Sequence, residues 1–198
     1  CLDLGGEKNP AMGVRGIRVS LDKEEIFMTQ LRAILRASLY GNLSVMFPMI
    51  SSVAEVQRAK LLLGRAGKEL KAEKIPYNEK IEVGVMIETP AAVMISGELT
   101  REVDFVSIGT NDLTQFTLGM DRGNEHLEPY YNPHHPALLK MIRIVANNVH
   151  LENKRISICG DLAADPEMTE FFLQIGIDEL SVAPGEVLSL RKRIREIQ

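Results

Sequence analysis

Two cysteines, Cys1 and Cys159, are all that the 198-residue sequence holds. They are too few and too far apart for a disulfide framework, and a reducing cytoplasm suits them best. Long apolar runs are missing too. Stretches such as "LSVMFPMI" (43–50) fall well short of the ~18–20 residues a membrane helix needs, so no membrane role is expected. Nor is there an excess of positive charge. The net charge of −4 gives no reason to expect nucleic acid, whose phosphates demand a basic surface. The one basic cluster, Arg191, Lys192, Arg193 and Arg195, is read as the solvated face of a final helix. An initiator Met and a basic, apolar leader are absent, and the chain is expected to be a piece of something longer. No linker, repeat or low-complexity segment divides it, so 1–198 is taken as one domain.

What is present is an alternation of short apolar runs with helical periods. The expected strands are "LSVMFPM" (43–49), "IEVGVMI" (81–87), "DFVSIG" (104–109), "RISICG" (155–160) and "ELSVA" (179–183), with "LDLGG" (2–6) as a possible strand end. Their near-continuous apolar character predicts strands covered on both faces, as in a parallel sheet. Between them, Phe27, Leu31, Ile34, Leu35 and Leu39 recur at helical spacing over 22–39, with Asp22 and Glu25 as a capping box. Residues 52–73 form a longer helix. Pro90, Pro136 and Pro166 each start another, because a missing N–H costs little in a first turn. The order strand–helix–strand predicts α/β, an open doubly wound sheet or a (β/α) barrel.

In either arrangement, chemistry belongs at the carboxyl ends of the strands. Glu88 follows one strand, Asn111 and Asp112 the next, with Asp121 and Arg122 a short helix later. Cys159, Gly160 and Asp161 end another. Each has a bland reading. Glu88 suits a helix start, Asp112 an N-cap with Gln115 completing a capping box, Arg122 a turn pairing with Asp121, and Cys159 a buried small hydrophobe. Together they suit something else. Two carboxylates from neighbouring strand ends fit a hard divalent cation, an arginine beside them fits phosphate, and a helix start adds anion-binding N–H groups. A metal with an anion clamp is the minimum for phosphoryl transfer. His126, His134, His135 and His150 show no metal-ligand spacing apart from the adjacent pair, which is assigned to a surface or capping role. None reads as a phosphoacceptor.

The blocks "NPAMGVRGIR" (9–18), "QLRAILRAS" (30–38), "MFPMI" (46–50), "VMIETPAA" (85–92), "SIGTNDLTQ" (107–115), "DRGN" (121–124) and "ICGDLAAD" (158–165) are familiar in this order. The chain resembles the phosphoenolpyruvate-binding barrels, and among them the Enzyme I family of the bacterial sugar phosphotransferase system. Pyruvate phosphate dikinase and phosphoenolpyruvate synthase are the runner-up group; "DRGN" and "GDLAAD" favour Enzyme I. The resemblance implies a parallel (β/α)8 TIM-type barrel, present here as an incomplete barrel lacking its first strands. It implies Mg²⁺ held by Glu88 and Asp112, phosphate held by Asn111, Arg122, Arg15 and Lys8, and Cys159 as the acid that protonates the enolate as pyruvate forms. It further implies a partner N-terminal phosphohistidine domain, through it the histidine-containing phosphocarrier protein, and a cytoplasmic homodimer. Three departures stand out. The family's further phosphate arginines fall before Cys1. A loop that the family inserts between the segments matching "GGEK" and "NPAMG" does not stand between Lys8 and Asn9: either it is deleted, or residues are omitted between the two. Asp161 stands where Glu is usual. The competing class is a module that binds phosphorylated metabolites without turning them over, or that only dimerises; such a binder has no use for a thiol acid.

Overall fold

The computed structural model describes residues 7–197; the strand end expected at "LDLGG" and Cys1 lie outside them. After a 3₁₀ turn at Pro10–Met12 come α1 (Ile17–Asp22), α2 (Glu24–Ala37), β1 (Ser44–Phe47), α3 (Val53–Ala72), β2 (Glu82–Ile87), α4 (Pro90–Met94), α5 (Ser96–Glu102), β3 (Phe105–Gly109), α6 (Thr110–Leu118), α7 (Pro136–Leu151), β4 (Arg155–Cys159), α8 (Thr169–Gln174), β5 (Glu179–Leu180) and α9 (Val187–Ile197). The five strands pair in sequence order and all are parallel. This is the (β/α) barrel arrangement in its incomplete form. Among the described residues, β1 and β5 each have a single strand neighbour, and the barrel is not closed.

The helices cover one face of the sheet. Val45, Phe47, Val83, Val85, Ile87, Val106, Ile108, Ile156 and Ile158 are all buried there, and Phe27 of α2 meets Phe47 edge-on at 6.1 Å between ring centres. Among the described residues the opposite face is left open, where strands covered on both sides were expected. It lines a concavity of about 640 Å³ that includes Ser44, Met46, Met86, Phe105, Arg155 and Cys159. Met46, Met86 and Phe105 made these runs look continuous, yet β1 and β4 alternate in burial as half-covered strands do. On this open face the Phe105 ring lies over Gly84, its partner in register. Arg155 stacks on that ring at 5.7 Å and pairs with Glu82 at 2.5 Å.

Register is set by a device used twice. Asp104, just before β3, donates its N–H to Val83 O and accepts the Val83 N–H on its carboxylate at 2.8 Å. Asp178, just before β5, does the same with Ile156. Both close the start of the neighbouring strand, where a backbone donor would otherwise be unpaired.

Several expected elements change in detail. The helix over 22–39 breaks at Lys23, and no side chain caps α2, so the Asp22–Glu25 box does not form. The box belongs instead to α3, where Ser52 and Glu55 exchange bonds. The helix from Pro90 splits at Ile95 into α4 and α5. Pro166 precedes α8 rather than opening it.

Candidate active site

Glu88 leaves the end of β2 and is only 4 % exposed. It is not a helix cap: Thr89 takes that place, accepting from the Ala92 N–H at 3.1 Å, with Pro90 next. One Glu88 oxygen, Oε1, accepts the Met49 N–H at 2.6 Å. Met49 lies just beyond β1 and holds a left-handed φ of 56°, a conformation that costs a residue with a Cβ roughly 1–2 kcal/mol. Gly16 makes room for it, since a Cβ there would sit 2.6 Å from Met49 Cβ. The other oxygen, Oε2, faces Gly109 at the end of β3, where an added Cβ would approach to 2.7 Å. Burial pushes the Glu88 carboxyl up to about 7, Asp112 adds to this, and the Met49 N–H, Arg15 and Arg122 oppose it.

At the end of β3 the chain enters α6 without a loop. Gly109 is the N-cap, so Asp112 lies inside the first helical turn and forms no capping box with Gln115. Arg15 Nη1 stands 2.9 Å from Asp112 Oδ1, but its N–H is not directed there. Asp112 Oδ1 is consequently buried without a hydrogen-bond partner. Gln115 accepts the Arg122 N–H at 3.1 Å. Asp121 uses its carboxylate to close the turn on Gly123 N–H at 2.9 Å, and the described residues show no Asp121–Arg122 ion pair.

Two bonds staple the ends of β3 and β4 together. Thr110 Oγ1 donates to Cys159 O at 2.8 Å, and Asn111 Oδ1 accepts the Asp161 N–H at 3.0 Å. The second bond fixes the Asn111 carboxamide, leaving its NH₂ as the group for a ligand. Gly160 lies between them with φ 92° and ψ −179°, a region open to glycine alone. A Cβ there would fall 2.5 Å from Thr110 Oγ1 and 2.8 Å from Asn111 Oδ1. Gly160→Ala is expected to destabilise the chain by about 3 kcal/mol in urea unfolding. Gly64→Ala, in the exposed middle of α3 with open space around it, should instead stabilise by up to ~1 kcal/mol.

Cys159 is half-buried at the top of the open concavity. Its Sγ lies 3.5 Å from Ile108 O and 3.8 Å from Ser107 Oγ. Burial pushes the thiol up, the Ser107 hydroxyl opposes, and the Glu88 and Asp112 charges add to the rise. Such a thiol keeps its proton at neutral pH, which suits an acid and not a thiolate nucleophile. Beyond it, Arg122, Tyr131 and Asp161 line a cavity of about 300 Å³. Burial raises the Tyr131 phenol, and the Thr114 hydroxyl and Arg122 lower it.

The structure therefore brings Glu88, Asp112, Arg15, Asn111 and Cys159 to one rim, with Arg122 near enough for its charge to act on Glu88. Lys8 is exposed and lines a separate cavity with Pro10, Phe116 and Met120, which neither Glu88, Asp112 nor Cys159 borders. Met49, Ser107 and Tyr131 are additions that no local pattern signals. Of the adjacent histidines, His135 caps α7. His134 meets Asp165 through Nε2 at 2.6 Å and Glu167 through Nδ1 at 3.7 Å. One ligand atom from each of the three lies within 4.8 Å of the others. They pin the segment before α7 to the loop after β4.

Glu88 and Asp112 do fit a hard dication. Asp112 offers a buried oxygen with no hydrogen-bond partner, Glu88 offers Oε2, and the repulsion that raises Glu88 is relieved by positive charge between them. Without a cation, the site costs stability as pH rises. Glu88 binds its proton more tightly folded than unfolded, so its contribution is fully favourable below pH 4.5 and is lost by about pH 7. The loss should be about 3 kcal/mol in metal-free urea unfolding, and a divalent cation at pH 8 should reverse it.

A parallel α/β domain that gathers a buried glutamate, a half-buried aspartate, an amide, arginines and a protonated thiol at its strand ends suits a small anionic, phosphate-bearing ligand. The chain belongs to the family described as "PEP-utilising enzyme, PEP-binding domain", whose model matches residues 1–198. Among similar proteins, that of Haemophilus influenzae is 47% identical over 196 residues, covering 99% of this chain and 34% of its own length. That of Buchnera aphidicola subsp. Baizongia pistaciae is 47% identical over 195 residues, 98% of this chain and 34% of its own. That of Priestia megaterium is 42% identical over 207 residues, 99% of this chain and 36% of its own. All three are named phosphoenolpyruvate-protein phosphotransferase. The chain thus spans about a third of the length of the curated relatives it matches. The Priestia match runs over 207 residues against the 198 of this chain, so that relative carries at least nine residues without counterpart here. Two solved structures share the fold alone. A citrate lyase from Burkholderia xenovorans has a TM-score of 0.64 at 17% identity, covering 84% of this chain and 53% of that one. A pyruvate kinase from Cryptosporidium parvum has a TM-score of 0.60 at 12% identity, covering 83% and 34%.

Proposed function

We propose that this chain is the phosphoenolpyruvate-binding part of a phosphoenolpyruvate–protein phosphotransferase, working with Mg²⁺. The observation that carries the proposal is the pairing of buried Glu88 and half-buried Asp112 with a protonated Cys159 across adjacent strand ends. The name that the relatives carry favours this reading over a dikinase or synthase. Glu88 and Asp112 would hold Mg²⁺, which would supply charge stabilisation to the phosphoenolpyruvate oxygens. Asn111 NH₂, Arg122 and Arg15 hold the phosphate, Arg15 leaving Asp112 to do so; Lys8 joins them only if its segment shifts. The phosphoryl group leaves the enol oxygen for a histidine outside this chain, a P–O bond breaking as a P–N bond forms. The Cys159 thiol gives its proton to the methylene carbon of the enolate, which becomes the methyl of pyruvate. Retention of that proton until the enolate forms is what the raised thiol provides.

The remaining partners follow from the same reading: an N-terminal phosphohistidine domain, the histidine-containing phosphocarrier protein beyond it, a second copy in a homodimer, sugar transport as the pathway and the cytoplasm as the site. Among the described residues no helix is long and apolar enough to cross a membrane. The test is calorimetric titration of the chain with phosphoenolpyruvate. Binding that requires Mg²⁺ is expected; binding unchanged by chelator, or none with Mg²⁺ in excess, would overturn the proposal.

A further inference from the structure

The proposed phosphate arginine, Arg122, sits on a segment with little to hold it. Residues 121–126 are all exposed, so packing does not fix them. The segment's own hydrogen bonds are local: Asp121 binds the N–H groups of Gly123 and Asn124, and Asn124 those of His126 and Leu127. Every described hydrogen bond from residues 119–123 to the helix before them ends on a single residue, Gln115. Its carbonyl receives the N–H groups of Gly119 and Met120, the latter at 3.1 Å. Its side-chain Oε1 receives the Arg122 N–H at 3.1 Å. The helix itself can account for the first pair, as an ordinary C-terminus with Gly119 left-handed at φ 64°. It does not account for the third, which reaches seven residues along the chain.

Gln115 is only 5 % exposed, and a buried carboxamide must find partners inside the protein. It lies one turn beyond Asp112 on the same helix. The bond therefore ties the main chain of the arginine to the element that carries one of the two carboxylates. With Arg122 N–H held, the side chain begins from a fixed point beside Tyr131 and Asp161, and its charge reaches Glu88. We infer that Gln115 is a positioning residue: its buried Oε1 sets where Arg122 presents its guanidinium to the ligand phosphate. The inference rests on the proposed function, since it takes Arg122 to be a phosphate donor.

The test uses the full chain, titrated with phosphoenolpyruvate and Mg²⁺. Gln115→Met keeps length and apolar volume but removes the acceptor. It is expected to weaken binding about tenfold, the worth of one neutral main-chain hydrogen bond. Gln115→Glu keeps an acceptor at the same reach and should bring binding back to within about threefold. Arg122→Ala should weaken binding by more, and Gln115→Met added to it should cost nothing further, because the two act as one unit. A purely structural role would produce the opposite pattern: equal losses on either background, tracking the melting temperature. Unchanged binding in Gln115→Met, or full additivity with Arg122→Ala, overturns the inference. Should Gln115→Met not fold, Gln115→Asn, whose oxygen is drawn back by one methylene, is read against the same two outcomes. If Arg122→Ala itself binds like the unaltered chain, Arg122 is no phosphate donor and the role of Gln115 falls with it; a loss in Arg122→Ala with none in Gln115→Met overturns the inference alone.

Discussion

Glu88→Gln is expected to lower Mg²⁺-dependent phosphoenolpyruvate binding by at least ~100-fold while making the metal-free chain more stable at pH 8. The two effects have one origin. Gln at this position still accepts the Met49 N–H, so the turn beyond β1 keeps its anchor. It carries no charge, so the burial and the Asp112 repulsion that raise Glu88 to about 7 no longer cost anything. The gain in urea unfolding should approach the same ~3 kcal/mol that ionisation of Glu88 removes. The loss arises because a neutral amide is a poor ligand for Mg²⁺, and the cation would supply several kcal/mol of charge stabilisation. Opposite signs for stability and binding mark a residue kept for its chemistry. Calorimetry at pH 8 paired with urea curves reads both. A variant that bound as well as the original, or that lost stability along with binding, would remove Glu88 from the metal site.

The second large effect concerns Cys159. In a phosphotransferase that carries this chain as the proposed phosphoenolpyruvate-binding part, Cys159→Ser should cut formation of pyruvate by ~10²–10⁴-fold, the range of a lost general acid, with phosphoenolpyruvate binding within a few-fold. Serine fills nearly the same space and keeps the Thr110 bond to the residue-159 carbonyl, but its hydroxyl gives up a proton far less readily than a thiol. The split between turnover and binding is the informative part. Loss of both together would make Cys159 a packing residue at the end of β4. Turnover left intact would assign the proton to another group.

Much of this architecture could be read without coordinates, and the places where it could not are instructive. The strands were legible because Val83, Val85 and Ile87, or Ile156 and Ile158, lie under helices and had to be apolar. β5 came out shorter than "ELSVA" promised, since it pairs with β4 alone, over two residues. The cap expected at Asp112 failed because of how the strand joins the helix. Asp112 and Gln115 have capping-box spacing, yet β3 turns into α6 with no loop between, and Gln115 is already engaged by Arg122. The residues of the rim were found from strand-end position together with family likeness. What local reading missed are partners distant in sequence. Met49 binds Glu88 from 39 residues away, and Ser107 meets Cys159 from 52. A sequence pattern carries no sign of either.

The in-order sheet has a kinetic consequence. Contacts that tie β1 to β2 span 38 residues, β2 to β3 21, and β4 to β5 22. Those that tie β3 to β4 span 49 and 50, and they are the Thr110 and Asn111 staples on either side of Gly160. Chain closure becomes slower as the loop lengthens, so short-range pairings form first. On chain entropy alone, the junction that sets Asn111 against Cys159 is expected to close last, by a margin of under ~1 kcal/mol in closure cost. A folding intermediate would carry most of its helices and sheet before it could grip a phosphate, and ligand affinity would rise later in refolding than circular dichroism does.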